Sequence, residues 1–245
     1  MKRLLFVMLL VWPTSAFPIT FAQLALGGGY EAVLFVTNKS SLDWSGSLGF
    51  YKGAAKGWTG VTVNGQKLAG HSGTFTMAAG ETWKFTMSVD GPTQSGYLEL
   101  QPTAGSNDFD VAVSYFYRFY NSSGELLDSV GSGASPRAYK FIFPAEYVAG
   151  RTDTGYAWAP ATTTGLFEVD LTLLDEEGNQ VARKTSIFLG HVAMFISELF
   201  PTIPRDFYGH VLVESPNMIY LEVLRMDLTV GGFQLTSTPP DPDVP

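Results

Sequence analysis

The sequence contains no cysteine among its 245 residues. Without cysteine, the chain can form no disulfide bond and can carry no lipid attached through a thioether. Disulfides are common in exported proteins, which often need them when the apolar core is small. The folded state of this protein must therefore be stabilised by packing and hydrogen bonding alone.

Charged residues are also scarce, at 16% of the chain, and acidic residues outnumber basic ones by 23 to 15. The formal net charge is −8, and no run of basic residues is longer than two. Such a surface repels phosphate backbones and anionic lipid headgroups. We therefore expect no nucleic-acid partner.

Histidine occurs three times, at His71, His191 and His210. Nucleophilic hydrolysis needs a serine or cysteine beside a histidine that a carboxylate orients. No Gly-x-Ser-x-Gly motif is present to supply such a serine. We interpret His71 as a polar loop residue, His191 as a cap or core residue, and His210 as a residue on a sheet face. The sequence therefore predicts no catalytic residue and a protein that is not an enzyme.

Aromatic residues, glycine and proline are abundant, with 18 Phe, 11 Tyr, 26 Gly and 14 Pro. Aromatic residues favour strands, and glycine and proline favour turns. Apolar residues make up 45% of the chain, which is enough for a folded core and excludes disorder except at the ends. The length suits two β-sandwich units of about 110 residues each.

Alternating apolar and polar residues predict β-strands along most of the chain. Residues 209–238 contain three such runs, separated by Ser215-Pro216-Asn217 and by Gly231-Gly232, and so predict a β-meander. Residues 96–118 predict a second meander in the first unit. Asn64-Gly65 is the strongest signal for a two-residue hairpin turn.

Two patterns in the second half predict a hairpin and a helix. In residues 166–174, Phe167 and every second residue to Leu173 share one face, and residues 175–179 form the following turn. From Val192 to Leu199, apolar residues recur at helical spacing, and Pro201 ends the run. This helix of two turns can only cap one end of a sandwich.

The N-terminus has the pattern of a signal peptide. Met1-Lys2-Arg3 is a positive segment, and residues 4–12 are apolar but span only about half a bilayer as a helix. Cleavage is chemically acceptable after Ala16 or after Ala22. Removal of Lys2 and Arg3 changes the net charge from −8 to −10. We expect a secreted, periplasmic or cell-surface protein that is not inserted in the membrane after cleavage.

Several short motifs carry a resemblance to a known family. They are Phe21-Ala22-Gln23, Gly27-Gly28-Gly29, Val36-Thr37-Asn38, Phe195-Ile196-Ser197-Glu198-Leu199-Phe200-Pro201, Phe207-Tyr208-Gly209, Val211-Leu212-Val213-Glu214-Ser215 and Leu224-Arg225. With them the chain resembles, over residues 21–238, a tandem immunoglobulin-like repeat of secreted proteins from acidobacteria and related environmental bacteria. Members generally have no assigned activity, so the resemblance implies a structural or adhesive module. Ala159-Pro160 departs from the pattern, where an Asn-Pro turn would be expected.

The expected fold class is all-β, with two tandem immunoglobulin-like antiparallel β-sandwiches and one short capping helix in the second. The expected boundaries are given by residue number: a signal peptide at 1–16, domain 1 at 17–130, a linker at 131–138, domain 2 at 139–238 and a proline-rich disordered tail at 239–245. We expect an exported, non-catalytic structural or binding module. Its expected partner is an extracellular protein or a surface polysaccharide, and we expect no cofactor and no metal.

Two alternatives remain open at this stage. Tyr115, Tyr117 and Phe119 share one strand face, while Phe116 and Tyr120 share the other. If one set is exposed, it could bind sugar rings, as in a carbohydrate-binding module. A carboxylate-dependent hydrolase is the second alternative and would need two acids across a cleft. Asn107, Asp108 and Asp110 form the best candidate group for Ca²⁺, but we favour a solvated strand entry as the explanation for them.

Overall fold

The computed structural model describes residues 18–53, 56–103, 105–161, 166–229 and 232–242. Over these residues the chain is nearly all β and its sheets are antiparallel, which confirms the all-β prediction. No helix in these ranges is long and apolar enough to cross a membrane. The predicted signal peptide lies outside the described residues.

Residues 19–132 form two antiparallel sheets. Their strands are β1 (Ile19–Leu26), β2 (Tyr30–Asn38), β3 (Trp44–Lys52), β4 (Lys56–Gly57), β5 (Thr62–Val63), β6 (Gln66–Lys67), β7 (Ser72–Met77), β8 (Thr82–Ser88), β9 (Gln94–Pro102), β10 (Val111–Tyr120) and β11 (Leu126–Ser132). The first sheet has the order β1-β9-β3-β4, with β7 also paired to β3. The second sheet has the order β11-β10-β2-β8-β5-β6.

The first apolar core lies between these two sheets. Ala32, Leu34 and Val36 of β2 are fully buried, because the alternation of the strand directs them to one face. They belong to the same buried cluster as Phe21 of β1 and Leu98 of β9. Burial of each such large side chain stabilises the fold by about 1.5–3 kcal/mol.

The turn at Asn64-Gly65 is confirmed, but the predicted meander in residues 96–118 is wrong. Asn64 and Gly65 have φ values of 50° and 79° and join the paired strands β5 and β6. In contrast, β9 and β10 belong to different sheets. The connection between them, which includes a 3-10 turn at Asp108–Asp110, carries the chain across the core. Alternation locates strands, but it does not show which sheet each strand joins.

The second half forms one eight-stranded sheet. Its elements are β12 (Arg137–Val148), β13 (Thr152–Pro160), β14 (Phe167–Asp175), β15 (Gln180–Phe188), β16 (Val192–Phe195), the helical turn α1 (Ile196–Leu199), β17 (Asp206–Thr229), β18 (Gly232–Ser237) and β19 (Asp241–Pro242). The order is β15-β14-β17-β12-β13-β16, with β18 on β17 and β19 on β12. A second buried cluster, separate from the first, lies against this sheet.

The hairpin predicted for residues 166–179 is confirmed. Strands β14 and β15 pair from Phe167 with Phe188 to Leu174 with Gln180. Phe167 and every second residue to Leu173 belong to the second buried cluster. Gly178 lies in the turn with a φ of 84°, which a glycine adopts without steric cost.

Ser215-Pro216-Asn217 was predicted to be a turn, and this is wrong. Strand β17 runs through it for 24 residues. Lys140 of β12 pairs with Glu214, and Ala138 pairs with Ile219. The four residues 215–218 of β17 therefore lie opposite a single residue of β12, which makes this part of β17 a bulge. Pro216 has no amide hydrogen to donate to a ladder, which explains a bulge at this position. Strands β17 and β18 do pair antiparallel, while Gly231 lies outside the described residues.

The predicted helix from Val192 to Leu199 is also wrong over its first half. Val192–Phe195 forms β16, which pairs with β13 from Trp158 with Val192 to Gly155 with Phe195. Only Ile196–Leu199 makes a helical turn. The open edge of β13 offers this segment backbone partners, and tertiary pairing of this kind overrides a helical pattern of only two turns.

The linker and the tail are both more ordered than the sequence suggests. Gly131 and Ser132 belong to β11, and β12 begins at Arg137. Within the short connection, Ser135 is buried. In the predicted disordered tail, Asp241–Pro242 pairs with β12, and residues 243–245 lie outside the described residues.

We predict that Gly209→Ala destabilises the protein by about 1–3 kcal/mol, because neighbouring atoms already occupy the space that its Cβ would need. A Cβ atom at Gly209 would lie 2.0 Å from the Leu174 carbonyl oxygen and 2.8 Å from the Phe207 ring. The matched control is Gly133→Ala, because a Cβ there meets no atom within 4 Å. Chemical denaturation measures both variants. Equal stability of the two would contradict the packing at Gly209.

Candidate functional site

The junction between the two halves is formed around an irregularity in β1. Phe21 pairs with Leu98, but Leu24 pairs with Gly96, so β1 has one residue more than β9 between these pairs. This β-bulge leaves backbone amides that the β9 ladder does not satisfy. The amide of Ala22 donates to Ser135 Oγ at 2.7 Å, and the amide of Gln23 donates to Glu222 Oε2 at 3.2 Å. Side chains from the second half thus complete the hydrogen bonding of a strand in the first.

Glu222 is the central polar residue of this junction. It lies on β17, and only 4% of its surface is exposed. Besides the Gln23 amide, Ser135 Oγ lies 3.4 Å from Oε2, and the Tyr117 hydroxyl lies 3.4 Å from Oε1. No salt bridge among the described residues involves Glu222. The carboxylate is therefore held by neutral donors only.

The protons of this network depend on one another. The Tyr117 hydroxyl also donates to the carbonyl oxygen of Gln23, and the Tyr115 hydroxyl lies 3.4 Å from the same carbonyl. A phenol has one proton, so Tyr117 cannot donate to Gln23 and Glu222 at once. When Glu222 is protonated, it can donate to Tyr117 while Tyr117 donates to Gln23. When Glu222 is ionised, Tyr117 must donate to Glu222 instead.

Burial raises the pKa of Glu222 to about 7. The cause is loss of water around the charged form, which the hydrogen bonds from Gln23, Ser132, Ser135 and Tyr117 only partly offset. Burial also removes water from Tyr115 and Tyr117 and so raises the pKa of both hydroxyl groups, which therefore stay neutral. Glu222 is thus the group of this cluster that changes charge near neutral pH.

A partly open cavity of about 320 Å³ lies beside this cluster. It lies between β1 and β10 of the first half and the outer face of β13, β16 and β17. Most of its wall is apolar, and its polar lining residues include Glu222, Tyr117 and Glu198. The lining residues that the site depends on are Tyr117, Tyr156, Ala157, Phe195, Glu198 and Glu222. The cavity can accept a small ligand that has an apolar body and one polar group.

Tyr156 is a buried polar residue near this cavity, but its side chain belongs to the second core, where its ring lies 6.1 Å from that of Phe143. Its side chain is 3% exposed, and its hydroxyl has no hydrogen-bond partner among the described residues. A buried hydroxyl without a partner costs about 1–3 kcal/mol. Glu198 lies at the exposed rim of the cavity, where its Oε2 accepts the Phe195 amide at 2.8 Å.

A stack of aromatic rings holds the other side of the junction. Tyr51 and Tyr97 stack at 5.0 Å, with His71 at 5.5 Å from Tyr51 and His191 at 6.1 Å from Tyr97. The His191 amide donates to the Gly53 carbonyl at 2.8 Å, while its Nε2 is buried and has no hydrogen-bond partner within the described part of the chain. Burial lowers the pKa of His191 to about 4, so the ring is neutral at physiological pH.

The structure thus brings His71 and His191 to one stack, which the sequence did not indicate. His71 is an exposed loop residue, and His191 is a half-buried residue of the junction whose Nε2 is buried. His210 is exposed on β17. These positions agree with the loop position predicted for His71 and the sheet position predicted for His210.

The candidate calcium group is not arranged as expected. Asp108 and Asp110 lie in a 3-10 turn and not on one strand face. The Asn107 carbonyl accepts the indole Nε1 hydrogen of Trp44 at 2.8 Å, and Asn107 Nδ2 lies 3.4 Å from Asp110 Oδ2. Across the described ranges, no group of three or more His, Cys, Asp or Glu is placed to hold a metal ion.

The aromatic residues of β10 do not form an exposed ladder. Tyr115 and Tyr117 are 0% and 2% exposed and belong to the first core. On the other face, Phe116 is half-buried and packs edge-on against Phe35 at 6.1 Å. Tyr115 and Tyr117 therefore cannot stack on a sugar ring.

Comparisons with known proteins give little further guidance. No family model and no curated protein matches the sequence. The crystal structure of Thermotoga maritima 1070 overlaps with 43% of this chain and 95% of its own, with a TM-score of 0.38 and 16% identity. Procruciferin, an 11S globulin from Brassica napus, overlaps with 85% of this chain and 75% of its own, with a TM-score of 0.21 and 8% identity. TM-scores this low do not indicate a shared fold.

Glu222 is expected to make stability depend on pH. Its folded-state pKa of about 7 lies above the usual 4.5, so the folded protein holds this proton more tightly than the unfolded chain. The stability that the proton contributes is therefore full below about pH 4.5 and is lost as the pH rises through about 7. Between about pH 5 and 8, the wild-type free energy of unfolding should fall by about 2–3 kcal/mol more than that of Glu222→Gln.

Denaturant unfolding of both proteins at several pH values measures this difference. The comparison cancels the effects of Glu99, Asp153 and His191, whose pKa values also differ from their usual ones. Glu214→Gln is the control, because Glu214 is an exposed glutamate on the same strand. Parallel stability profiles for wild type and Glu222→Gln would show that Glu222 does not hold a proton in the folded state.

Proposed function

We propose that this protein is an exported, non-catalytic binding module made of two tandem immunoglobulin-like β units, and that it holds a small ligand in the cavity at their junction. The observation that carries this proposal is the cavity of about 320 Å³, whose mostly apolar wall includes the buried Glu222. The two separate apolar clusters support the division into two units.

The size and wall of the cavity suit ligand binding. Ligand sites are usually concave, measure about 300–1,000 Å³ and combine apolar walls with a few placed polar groups. This cavity lies at the lower end of that range, so a ligand of only several heavy atoms would fill it.

A carboxylate-dependent hydrolase is the second candidate, and one observation favours it. Glu222 and Glu198 line the same cavity, and a carboxyl with a pKa of about 7 can act as a general acid. Both carboxylates, however, accept backbone amides that the fold needs, at Gln23 and Phe195. We favour binding because these two contacts assign a structural role to each acid.

Export is part of the proposal, and β1 distinguishes the two cleavage sites. Phe21 and Ala22 are fully buried, and the Tyr220 hydroxyl donates to the Pro18 carbonyl at 3.3 Å. Cleavage after Ala22 would remove this half of β1, whereas cleavage after Ala16 would keep the strand. We predict that the protein exported by a bacterial host begins at Phe17, as measured by intact mass and N-terminal sequencing.

Ala16→Tyr is the matched variant for this measurement, because a bulky residue before the cleavage point should leave the precursor uncut. Ala22→Tyr cannot serve, since Ala22 is in the core. Exported protein that begins at Gln23 would contradict the proposed role of β1.

The binding role is tested with three six-carbon probes: 1-hexanol, n-hexylammonium and hexanoate. Ligand-observed NMR should detect binding of at least one probe to the wild type. Ala157→Leu should abolish it, because Ala157 is buried, lines the cavity and would fill it with a larger side chain. Ala112→Leu, at an exposed position on β10, is the control and should bind as the wild type does.

The melting temperature of each variant shows whether it is folded. Failure of all three probes to bind the wild type, or binding that survives in folded Ala157→Leu, contradicts a ligand site in this cavity. Turnover of nitrophenyl esters or glycosides that Glu222→Gln abolishes would favour the hydrolase instead.

A further inference from the structure

A second concave site, the β12–β17 cleft, lies on the second half of the chain. It is open to solvent and has a volume of about 370 Å³. Its lining comes from β12, from both ends of β17, and from the turn between β14 and β15. Among the described residues, none lines both this cleft and the cavity beside Glu222. The cleft is therefore a separate candidate site, and its volume suits a small ligand.

Strand register shows which side chains border this cleft. In the pairing of β12 with β17, Glu146 lies opposite Tyr208, and Pro144 lies opposite His210. Residues directly opposite each other share a face of the sheet, as do residues two apart on one strand. Phe207, which precedes Tyr208, belongs to the second core. The four paired side chains therefore lie on the opposite, outer face.

Tyr208 presents an aromatic ring to the β12–β17 cleft. The residue is 49% exposed, whereas Tyr115 and Tyr117 are buried in the first core. An exposed phenol combines an apolar ring with a polar tip. A sugar has a matching surface, because its C–H groups form an apolar face and its hydroxyls surround that face. Tyr208 can therefore stack on a sugar ring, which the tyrosines of β10 cannot do.

A fixed pair of charged groups lies beside this ring. Arg225 Nε donates to Glu146 Oε2 at 2.6 Å, and Arg225 Nη1 donates to Asp227. The side chains of Arg225 and Glu146 are still 34% and 25% exposed, so a ligand can reach both. The ion pair holds two planar groups in position before a ligand arrives, which lowers the entropic cost of binding.

We propose that the β12–β17 cleft binds a neutral saccharide, with a sugar ring stacked on Tyr208 and its hydroxyls bonded to the Glu146–Arg225 pair. A hydroxyl is a donor and an acceptor at once, so adjacent sugar hydroxyls can donate to Glu146 and accept from Arg225. Hydrogen bonds to charged groups are stronger than those between neutral groups. His210, exposed on the same face, supplies a further polar contact.

The charges around the cleft favour a neutral sugar over an acidic one. Arg225 already faces two carboxylates, those of Glu146 and Asp227. Glu176, which also lines the cleft, is exposed in the turn after β14. An acidic sugar would bring another negative charge to these carboxylates, on a protein whose net charge is −8. A neutral sugar avoids that repulsion and uses the same hydrogen-bonding groups.

The test uses cellotriose, maltotriose and mannotriose as neutral probes and trigalacturonate as the acidic probe. Saturation-transfer NMR detects binding, and isothermal titration calorimetry gives the Kd. At least one neutral trisaccharide should bind the wild type, and more tightly than trigalacturonate does. Tyr208→Ala should weaken this binding by about fivefold or more, because tyrosines in binding sites carry a large share of the contact energy.

Three further variants assign the binding to named groups. Tyr208→Phe keeps the ring and should bind within about twofold of the wild type. Glu146→Gln should weaken binding by about threefold or more, because a charged acceptor becomes neutral. The matched control is Tyr139→Ala, since Tyr139 is 52% exposed on β12 but does not line the cleft. It should bind as the wild type does. The melting temperature shows whether each variant is folded.

Binding that survives in folded Tyr208→Ala, or that Tyr139→Ala weakens equally, overturns the saccharide site. Tighter binding of trigalacturonate overturns the neutral assignment, and failure of all the trisaccharides to bind overturns the proposal altogether. Ala157→Leu, which fills the junction cavity, should leave saccharide binding unchanged. Loss of saccharide binding in that variant would contradict a site in the β12–β17 cleft, so the two sites can fail separately.

Discussion

The structure depends on a buried carboxylate that completes an irregular strand. The bulge in β1 leaves the amide of Gln23 without a partner on β9, and Glu222 of β17 accepts it at 3.2 Å. Ser135 does the same for Ala22 at 2.7 Å. Because an unsatisfied buried amide costs free energy comparable to a lost hydrogen bond, the first half depends on the second for part of its own backbone bonding.

The same carboxylate links packing to chemistry. A glutamate that only satisfied an amide could be replaced by an uncharged acceptor, but a glutamate also brings a charge into a buried site. Here that charge lies beside Tyr117, at the wall of a cavity. One residue thus sets the geometry of the junction and the electrostatic preference of the cavity.

The sequence predicted strands well and their partners poorly. Alternation located β14 with its buried face from Phe167 to Leu173, and Asn64-Gly65 located a hairpin turn, because both are local features. The assignment of β9 and β10 to different sheets, and of Val192–Phe195 to the edge of β13, depends on residues far along the chain. Pro216 indicated that strand pairing is interrupted, but a proline is compatible with a bulge as well as with a turn, so it did not show which of the two occurs.

The candidate site could not be predicted for the same reason. Glu222 alternates with buried residues of β17, which is the usual pattern for a solvent-exposed position. Its partner Gln23 is 199 residues away in the sequence. One sign was available, since Tyr220 and Leu224 on the same face are large and apolar. An acid between them suggests a covered face, but it does not show what covers it.

Strand β17 has a consequence for how such a chain can be rearranged. It contributes to the second core, carries Glu222 to the bulge of β1, and contacts Pro18 through Tyr220. Tandem β domains often fold independently, and such domains can be transferred singly between proteins. The two halves of this chain could not be separated so simply, because removal of the second half would leave the first with unsatisfied amides in β1 and an uncovered aromatic surface at Tyr97. The two halves would therefore have to be transferred together.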